Sequence, residues 1–177
     1  MSKGKWQMAN EIPEIQKEEQ KNLFKKHVEL ALELDKPLMI HCRPSAGTMD
    51  AYEDALEILS KYVGAVPREA RRAKWGNFHF FAGDWEIGKQ ALDMGFTLSF
   101  TGVITFTGQY DEVIKNTPLD MLLAETDAPF VAPAPYRGKR SEPLYIAEVV
   151  KRLAELKNLA YDQIAEITVE NGKDLFR

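Results

Sequence analysis

Apolar residues recur at intervals of three and four near the start of the chain. Over residues 14–36 this spacing predicts an amphipathic helix, with a buried face formed by Leu23, Phe24, His27, Leu30, Ala31 and Leu34. Pro37 ends the helix, because proline cannot continue it. Residues 38–42 are a short, largely apolar run. This run is too short for a helix and predicts a buried strand.

The alternation of helix and strand continues along the rest of the chain. A second amphipathic helix is predicted over 48–62, with Tyr52, Ala55, Leu56, Leu59 and Tyr62 facing inward. Further strands are predicted at 77–81, 96–100 and 121–125, and further helices at 85–94, 109–116, 143–157, 161–167 and 169–176. Asp84 and Thr168 are typical helix N-caps, and Gly95 is a typical left-handed helix end. Strands that alternate with helices indicate a parallel α/β sheet.

Length, composition and charge are those of one soluble domain. The chain has 177 residues and a formal net charge of −4, and we expect a single domain in which residues 1–13 are a disordered N-terminal segment. Residues 1–20 lack the apolar core of a signal peptide, and no stretch approaches the ~20 apolar residues of a membrane span. We therefore expect a cytoplasmic protein with no membrane partner. The single cysteine, Cys42, neighbours His41 on a strand and is expected to face away from it into the core.

Three residues with metal-binding side chains lie at predicted strand ends. His41 ends the first strand, His79 lies near the end of the second, and Asp127 follows the fourth by two residues. The carboxyl ends of parallel strands meet on one side of a sheet, where α/β enzymes build their sites. Two imidazoles and a carboxylate suit Zn2+, Mn2+ or Fe2+. Each residue alone could be structural, but their convergence favours a metal site.

A series of segments along residues 16–177 carries a more specific pattern. In chain order they are QKNLFKKHVELALELDKP, MIHCR, HFFAG, GFTLSFTGVITF, LLAETDAP, PAPYRGKRSEP and TVENGKDLF. In this order they resemble the TatD family of metal-dependent deoxyribonucleases, in the amidohydrolase-like superfamily. The resemblance implies a TIM-type (β/α)8 barrel that cleaves DNA phosphodiester bonds with a metal-activated water. It implies that His41, His79 and Asp127 hold a divalent ion (Mg2+, Mn2+ or Zn2+) and that Asp127 also helps to activate the water.

Further residues have roles that fit this chemistry. Glu125 is expected to orient a metal ligand without binding the ion itself. The candidates for phosphate contact are Arg43, Arg137, Lys139 and Arg140, because guanidinium and ammonium groups bind phosphate. Arg68, Arg71, Arg72 and Lys74 give the connector 63–76 a local positive charge, which fits either nucleic-acid contact or a solvated loop. Gly102 and Thr105 are weaker candidates for close backbone approach to a substrate.

The chain also departs from the family pattern. It has no His-x-His pair and no Glu ligand on a strand ahead of the first helix. Its four predicted strands correspond to the second half of a barrel, and a complete barrel takes roughly 200–250 residues. We therefore expect an N-terminally truncated half-barrel that binds at most one ion, where the family barrel holds two. Weak or no hydrolysis is expected from it.

A half-barrel would expose two sheet edges and an apolar interior. Open edges pair readily with another chain, and exposed apolar surface marks an interaction site. We therefore expect two kinds of partner: DNA as the substrate, and a second copy of the chain bound through these edges. The alternative function is a catalytically inactive half-barrel that serves as a binding or assembly module.

Overall fold

The structure is a computed structural model that describes residues 14–65 and 74–176. In chain order its helices and strands are α1 (Glu14–Glu33), β1 (Leu38–His41), α2 (Asp50–Ala65), β2 (Gly76–His79), α3 (Trp85–Asp93), β3 (Phe96–Phe100), α4 (Asp111–Asn116), β4 (Leu122–Ala124), α5 (Ile146–Lys157) and α6 (Tyr161–Phe176). Short 3-10 helices lie at Gly102–Thr105, Leu119–Met121 and Pro143–Tyr145. Within the described residues, no helix is long and apolar enough to cross a membrane. The predictions for residues 1–13, Arg68, Arg71 and Arg72 fall outside the described residues.

The strands form a parallel sheet in the order β1-β2-β3-β4. His41 is in register with His79 across the first pair of strands, and Phe100 is in register with Ala124 across the last pair. All four strands therefore end on the same side of the sheet, as the alternation of helix and strand predicted. The parallel α/β class is confirmed, and β1 and β4 are the edges of the sheet.

One face of the sheet is apolar and is covered by helices. Phe78, Phe96 and Phe100 are fully buried on this face. The ring of Phe78 lies 5.4 Å from that of Phe96 and 6.0 Å from that of Tyr52 in α2, between centroids. The predicted inner face of α2 is confirmed, because Tyr52, Ala55, Leu56 and Leu59 are buried. Burying such a side chain contributes about 1.5–3 kcal/mol, so this cluster fixes the central strands beneath the helices.

The opposite face of the sheet is polar on the two central strands, so the expected apolar interior is present only at the edges, where Met39 and Leu123 lie. The Thr97 hydroxyl donates to Asn77 Oδ1 over 3.0 Å, and Asn77 Nδ2 donates to Ser99 Oγ over 2.7 Å. All three side chains are buried and satisfy one another, as buried polar groups must. Side chains alternate along β2 and β3, so their apolar residues lie on the helix-covered face. The hydrogen-bonded row of Thr97, Asn77 and Ser99 lies on the other face and extends towards the carboxyl ends of the strands.

The buried face of α1 differs from the predicted one. Val28 is its buried residue, and Phe24 and Leu32 pack against the core beside it. Leu23, Leu30 and Leu34 are instead about half exposed. The apolar periodicity of α1 therefore contains two stripes. One packs on the fold, and the leucine stripe faces outward.

Two predicted boundaries are also wrong. β2 ends at His79 rather than at residue 81, because Phe80 adopts a φ of 49° and leaves the extended conformation. Thr168 does not begin a last helix, since α6 runs through it and its hydroxyl donates to Ile164 O over 2.9 Å. The caps of α3 are confirmed: Asp84 accepts from Ile87 N over 3.0 Å, and Gly95 has a φ of 88°.

Candidate metal centre

The two histidines lie side by side where β1 and β2 end. His41 and His79 are register partners, and their ring centroids are 5.8 Å apart. Glu125 directly follows β4, and its backbone N–H extends the strand pairing by donating to Phe100 O over 3.1 Å. Asp127 lies two residues further on. The parallel topology thus brings these four side chains to one end of the sheet.

His79 is held between two carboxylates. Its Nδ1 contacts Glu125 Oε2, and its Nε2 lies 3.9 Å from Asp127 Oδ1. The side chains of His79, Glu125 and Asp127 are 27%, 19% and 31% exposed, so the cluster is half-buried but open to solvent. A carboxylate at Nδ1 fixes the imidazole tautomer with its lone pair on Nε2, which is the usual arrangement behind a metal-binding histidine.

Glu125 is itself fixed by a polar network. It accepts hydrogen bonds from the Ser99 hydroxyl and, over 2.7 Å, from Phe80 N. Ser99 in turn accepts from Asn77. The left-handed conformation of Phe80 comes directly after His79 and presents this N–H. Sequence reasoning missed Ser99, Asn77 and the Phe80 turn, because only the strand register and the backbone conformation reveal them.

The donors available at this end of the sheet fit a divalent metal ion in kind. Imidazole nitrogen and carboxylate oxygen are ligands for Zn2+ and Mn2+, and two ligands of one tetrahedral zinc lie roughly 3.4 Å apart. The 3.9 Å between His79 Nε2 and Asp127 Oδ1 is close to this value. Within residues 14–65 and 74–176, however, no three His, Cys, Asp or Glu side chains form a group that could hold an ion. His41 therefore neighbours the pair without completing a ligand set.

Cys42 takes no part in this cluster. It is buried in the core, as the strand alternation predicted. Burial raises the pKa of its thiol to about 12, so the thiol stays protonated at neutral pH and is a poor nucleophile.

The predicted phosphate contacts are all exposed. Arg43 lies two residues after His41. Arg137 is the most constrained, because its Nη1 donates to Ala132 O over 3.2 Å and its guanidinium lies 3.8 Å from the centre of the Phe106 ring. Lys139 Nζ is 5.9 Å from the Tyr136 ring centre, and Arg140 lies on the same loop. In the connector, Lys74 donates to Asn171 Oδ1 over 3.4 Å.

Gly102 and Thr105 hold the loop over residues 126–141. A Cβ atom at Gly102 would lie only 2.5 Å from Val131 O, so glycine is needed for the loop backbone to approach. Thr105 Oγ1 accepts from Ala134 N over 2.8 Å. The close backbone approach expected at these positions is thus made by the chain's own loop.

The sequence profile described as TatD related DNase matches residues 11–177. The chain belongs to this family. Among its relatives, the uncharacterized metal-dependent hydrolase YabD of Bacillus subtilis (strain 168) is 42% identical over 163 residues, which cover 91% of this chain and 59% of YabD. The 3'-5' ssDNA/RNA exonuclease TatD of Pectobacterium parmentieri (strain WPP163) is 29% identical, over 90% of this chain and 59% of that protein.

A solved TatD structure shares the fold. YJJV, a TatD homologue from Escherichia coli K12, superposes with a TM-score of 0.76 at 27% identity, over 90% of this chain and 57% of that one. The chain therefore spans a little over half the length of these TatD relatives. The family and the α/β fold are shown, and relatives of this chain are named as metal-dependent hydrolases.

Proposed function

We propose that this chain is the C-terminal portion of a TatD-type barrel that hydrolyses DNA phosphodiester bonds with a metal-activated water. The strongest support is the position of the His79 ring between two carboxylates. Its Nδ1 contacts Glu125, and its Nε2 lies near Asp127. Relatives named as metal-dependent hydrolases, and one named as an exonuclease, support the same chemistry.

Each site residue has its own role in the proposed reaction. His79 and Asp127, with His41 drawn towards them, would hold at most one ion of Mg2+, Mn2+ or Zn2+, and that ion, when bound, would polarise the phosphoryl oxygen and acidify water. Asp127 accepts the proton of the attacking water. Glu125 is a positioning residue, because it acts on the ion only through the His79 ring. Arg43, Arg137, Lys139 and Arg140 neutralise the phosphate.

Titration calorimetry with Mn2+ and Zn2+ tests the metal site. Wild type is expected to bind one ion, and His79→Ala to lose that binding. His27→Ala is the matched control, because His27 is an exposed histidine on α1 whose Nδ1 contacts Leu23 O. Equal binding by wild type and His79→Ala would contradict the proposal.

A nuclease assay tests the activity separately. Labelled single-stranded DNA is incubated with Mn2+ and, in parallel, with EDTA. We expect weak cleavage that needs the metal and disappears in Asp127→Asn. Metal binding without cleavage would favour the alternative function of an inactive binding or assembly module.

That alternative has an observation of its own at the two edges of the sheet. α1 precedes edge strand β1 and exposes Leu23, Leu30 and Leu34, and α6 packs on edge strand β4 and exposes Val169 and Phe176. We infer that this half-barrel associates with a second copy. The β1 edge of each copy would meet the β4 edge of the other, because two parallel four-stranded sheets can close an eight-stranded ring.

Sedimentation analysis over a range of protein concentrations tests this association. Wild type is expected to form dimers, and Leu30→Glu to shift towards the monomer. Leu144→Glu is the control, because Leu144 is exposed outside α1 and α6. A wild type that remains monomeric at all concentrations would contradict self-association.

A further inference from the structure

An aromatic side chain is exposed to solvent on the loop that carries the proposed metal ligand Asp127. Phe130 is 68% exposed and lies three residues after Asp127. The two residues form a turn in which Phe130 N donates to Asp127 O over 2.7 Å. The core is built without this ring. An exposed apolar ring on the loop of a proposed metal ligand is therefore available to contact a bound molecule.

The backbone around Phe130 is anchored on both sides. Pro129 O accepts from Ser141 N over 3.0 Å, and Ala134 N donates to Thr105 Oγ1 over 2.8 Å. Val131 O lies so close to Gly102 that no Cβ atom would fit between them. Because the backbone is already fixed, only the side-chain torsions of Phe130 would have to be ordered when a ligand binds, which favours recognition.

A stacked cation lies on the same stretch of loop. The Arg137 guanidinium packs 3.8 Å from the centre of the Phe106 ring and donates to Ala132 O, two residues from Phe130. A guanidinium has five N–H donors, and Ala132 O is the one acceptor that it contacts among the described residues. Its remaining donors can bind a phosphate in the bidentate manner typical of arginine.

We infer that Phe130 is a stacking platform for an unpaired nucleobase and that Arg137 binds a backbone phosphate of the same single strand, an inference that rests on the proposed function. Aromatic rings beside fixed cations are typical of single-strand binding, because every base has a face that can stack. Bases inside a duplex are already stacked on one another and would not reach Phe130. Lys139 and Arg140 on the same loop add positive charge for the strand.

The test is oligonucleotide binding without metal. The full chain in EDTA is titrated into fluorescein-labelled oligo-dT, and fluorescence anisotropy gives the Kd. Phe130→Ala is expected to weaken binding at least about fivefold, whereas Phe130→Trp retains it. Tyr161→Ala is the matched control, because Tyr161 is an exposed aromatic residue at the start of α6, and it should bind as wild type does.

A spectroscopic signal separates stacking from a general loss of affinity. Wild type and Tyr161→Ala should quench the fluorescence of a single-stranded oligonucleotide that contains 2-aminopurine, whereas Phe130→Ala should not, even at saturation. In a plot of log Kd against log salt concentration, Arg137→Gln should reduce the slope by about one, the value for one lost phosphate contact. Arg137→Lys should keep that salt slope but bind more weakly.

Three outcomes would overturn the inference: no binding by wild type, equal affinity of wild type and Phe130→Ala, or undiminished quenching in Phe130→Ala. Failure here can be told apart from failure of the proposed function. The proposed function fails if wild type binds no ion in the calorimetric test, whereas the stacking inference fails if wild type and Phe130→Ala bind metal-free oligo-dT equally.

Discussion

Asp50 is the residue that fixes the turn between His41 and α2. Its carboxylate accepts from Ser45 N over 2.8 Å and from the Ser45 hydroxyl over 2.7 Å, and Lys17 Nζ lies 3.4 Å away. These hydrogen bonds, led by the Ser45 hydroxyl, hold the pKa of Asp50 well below its ordinary value. The charged form of Asp50 therefore stabilises the turn.

The substitution Asp50→Asn should remove a pH-dependent part of the stability. Because the folded pKa is lowered, the stabilisation is fully present above the unfolded pKa of about 3.9 and is lost as the pH falls through the folded value. We expect Asp50→Asn to cost about 1 kcal/mol at pH 7, the usual scale for such hydrogen bonds. Urea unfolding from pH 7 to pH 3 should show the difference shrinking. A difference that is constant with pH, or equally large for Glu53→Gln in the same helical turn, would contradict this.

Glu125 allows a second prediction at the scale of one residue. Glu125→Gln keeps the shape of the side chain but removes the negative charge beside His79 Nδ1. Lost support of a metal-binding histidine typically weakens metal affinity about 10–100-fold, and we expect this in Mn2+ and Zn2+ calorimetry. Glu86→Gln, an exposed change in the first turn of α3, should bind as wild type does. Unchanged affinity in Glu125→Gln would show that Glu125 does not act through His79.

At the scale of elements, the spacing of apolar residues predicts where a helix lies better than it predicts which of its faces is buried. The spacing of apolar residues located α1 correctly but not its buried stripe, because the helix carries two apolar stripes and packing selected the one with Val28. Thr168 is a good cap by residue type, yet it lies inside α6, where its hydroxyl bonds back to Ile164 O. Neither choice is visible without tertiary contacts.

The contact between the loop 126–141 and the end of β3 depends on Gly102. Gly102→Ala should push Val131 away, since the added Cβ would lie 2.5 Å from Val131 O. We expect a loss of about 1–3 kcal/mol in the free energy of unfolding, the range for overpacking. Gly108→Ala is the matched control, because its Cβ would meet Asp111 only at 3.7 Å. Similar urea midpoints for Gly102→Ala and wild type would contradict the close contact.

At the scale of the whole molecule, much of the site follows from topology. The prediction that His41, His79 and Asp127 meet needs only parallel strands, and the structure places them at one end of the sheet, with His79 and Asp127 the close pair. What the sequence could not predict is the support behind them. The contact of Ser99 with Glu125 depends on the register of β3 and β4, and the donor at Phe80 depends on a left-handed turn.

Metal binding should be visible as stability of the whole fold. A ligand that binds only the folded chain, at a hundred times its Kd, stabilises it by about 2.7 kcal/mol. For a chain of this size each kcal/mol raises the Tm by about 2–4 °C, so Mn2+ should raise the Tm by about 5–10 °C in calorimetric scans. His79→Ala should lose this shift and His27→Ala should keep it. Because self-association would also raise the Tm, the scans are run at one protein concentration; an equal shift in His79→Ala would place the ion elsewhere than beside His79.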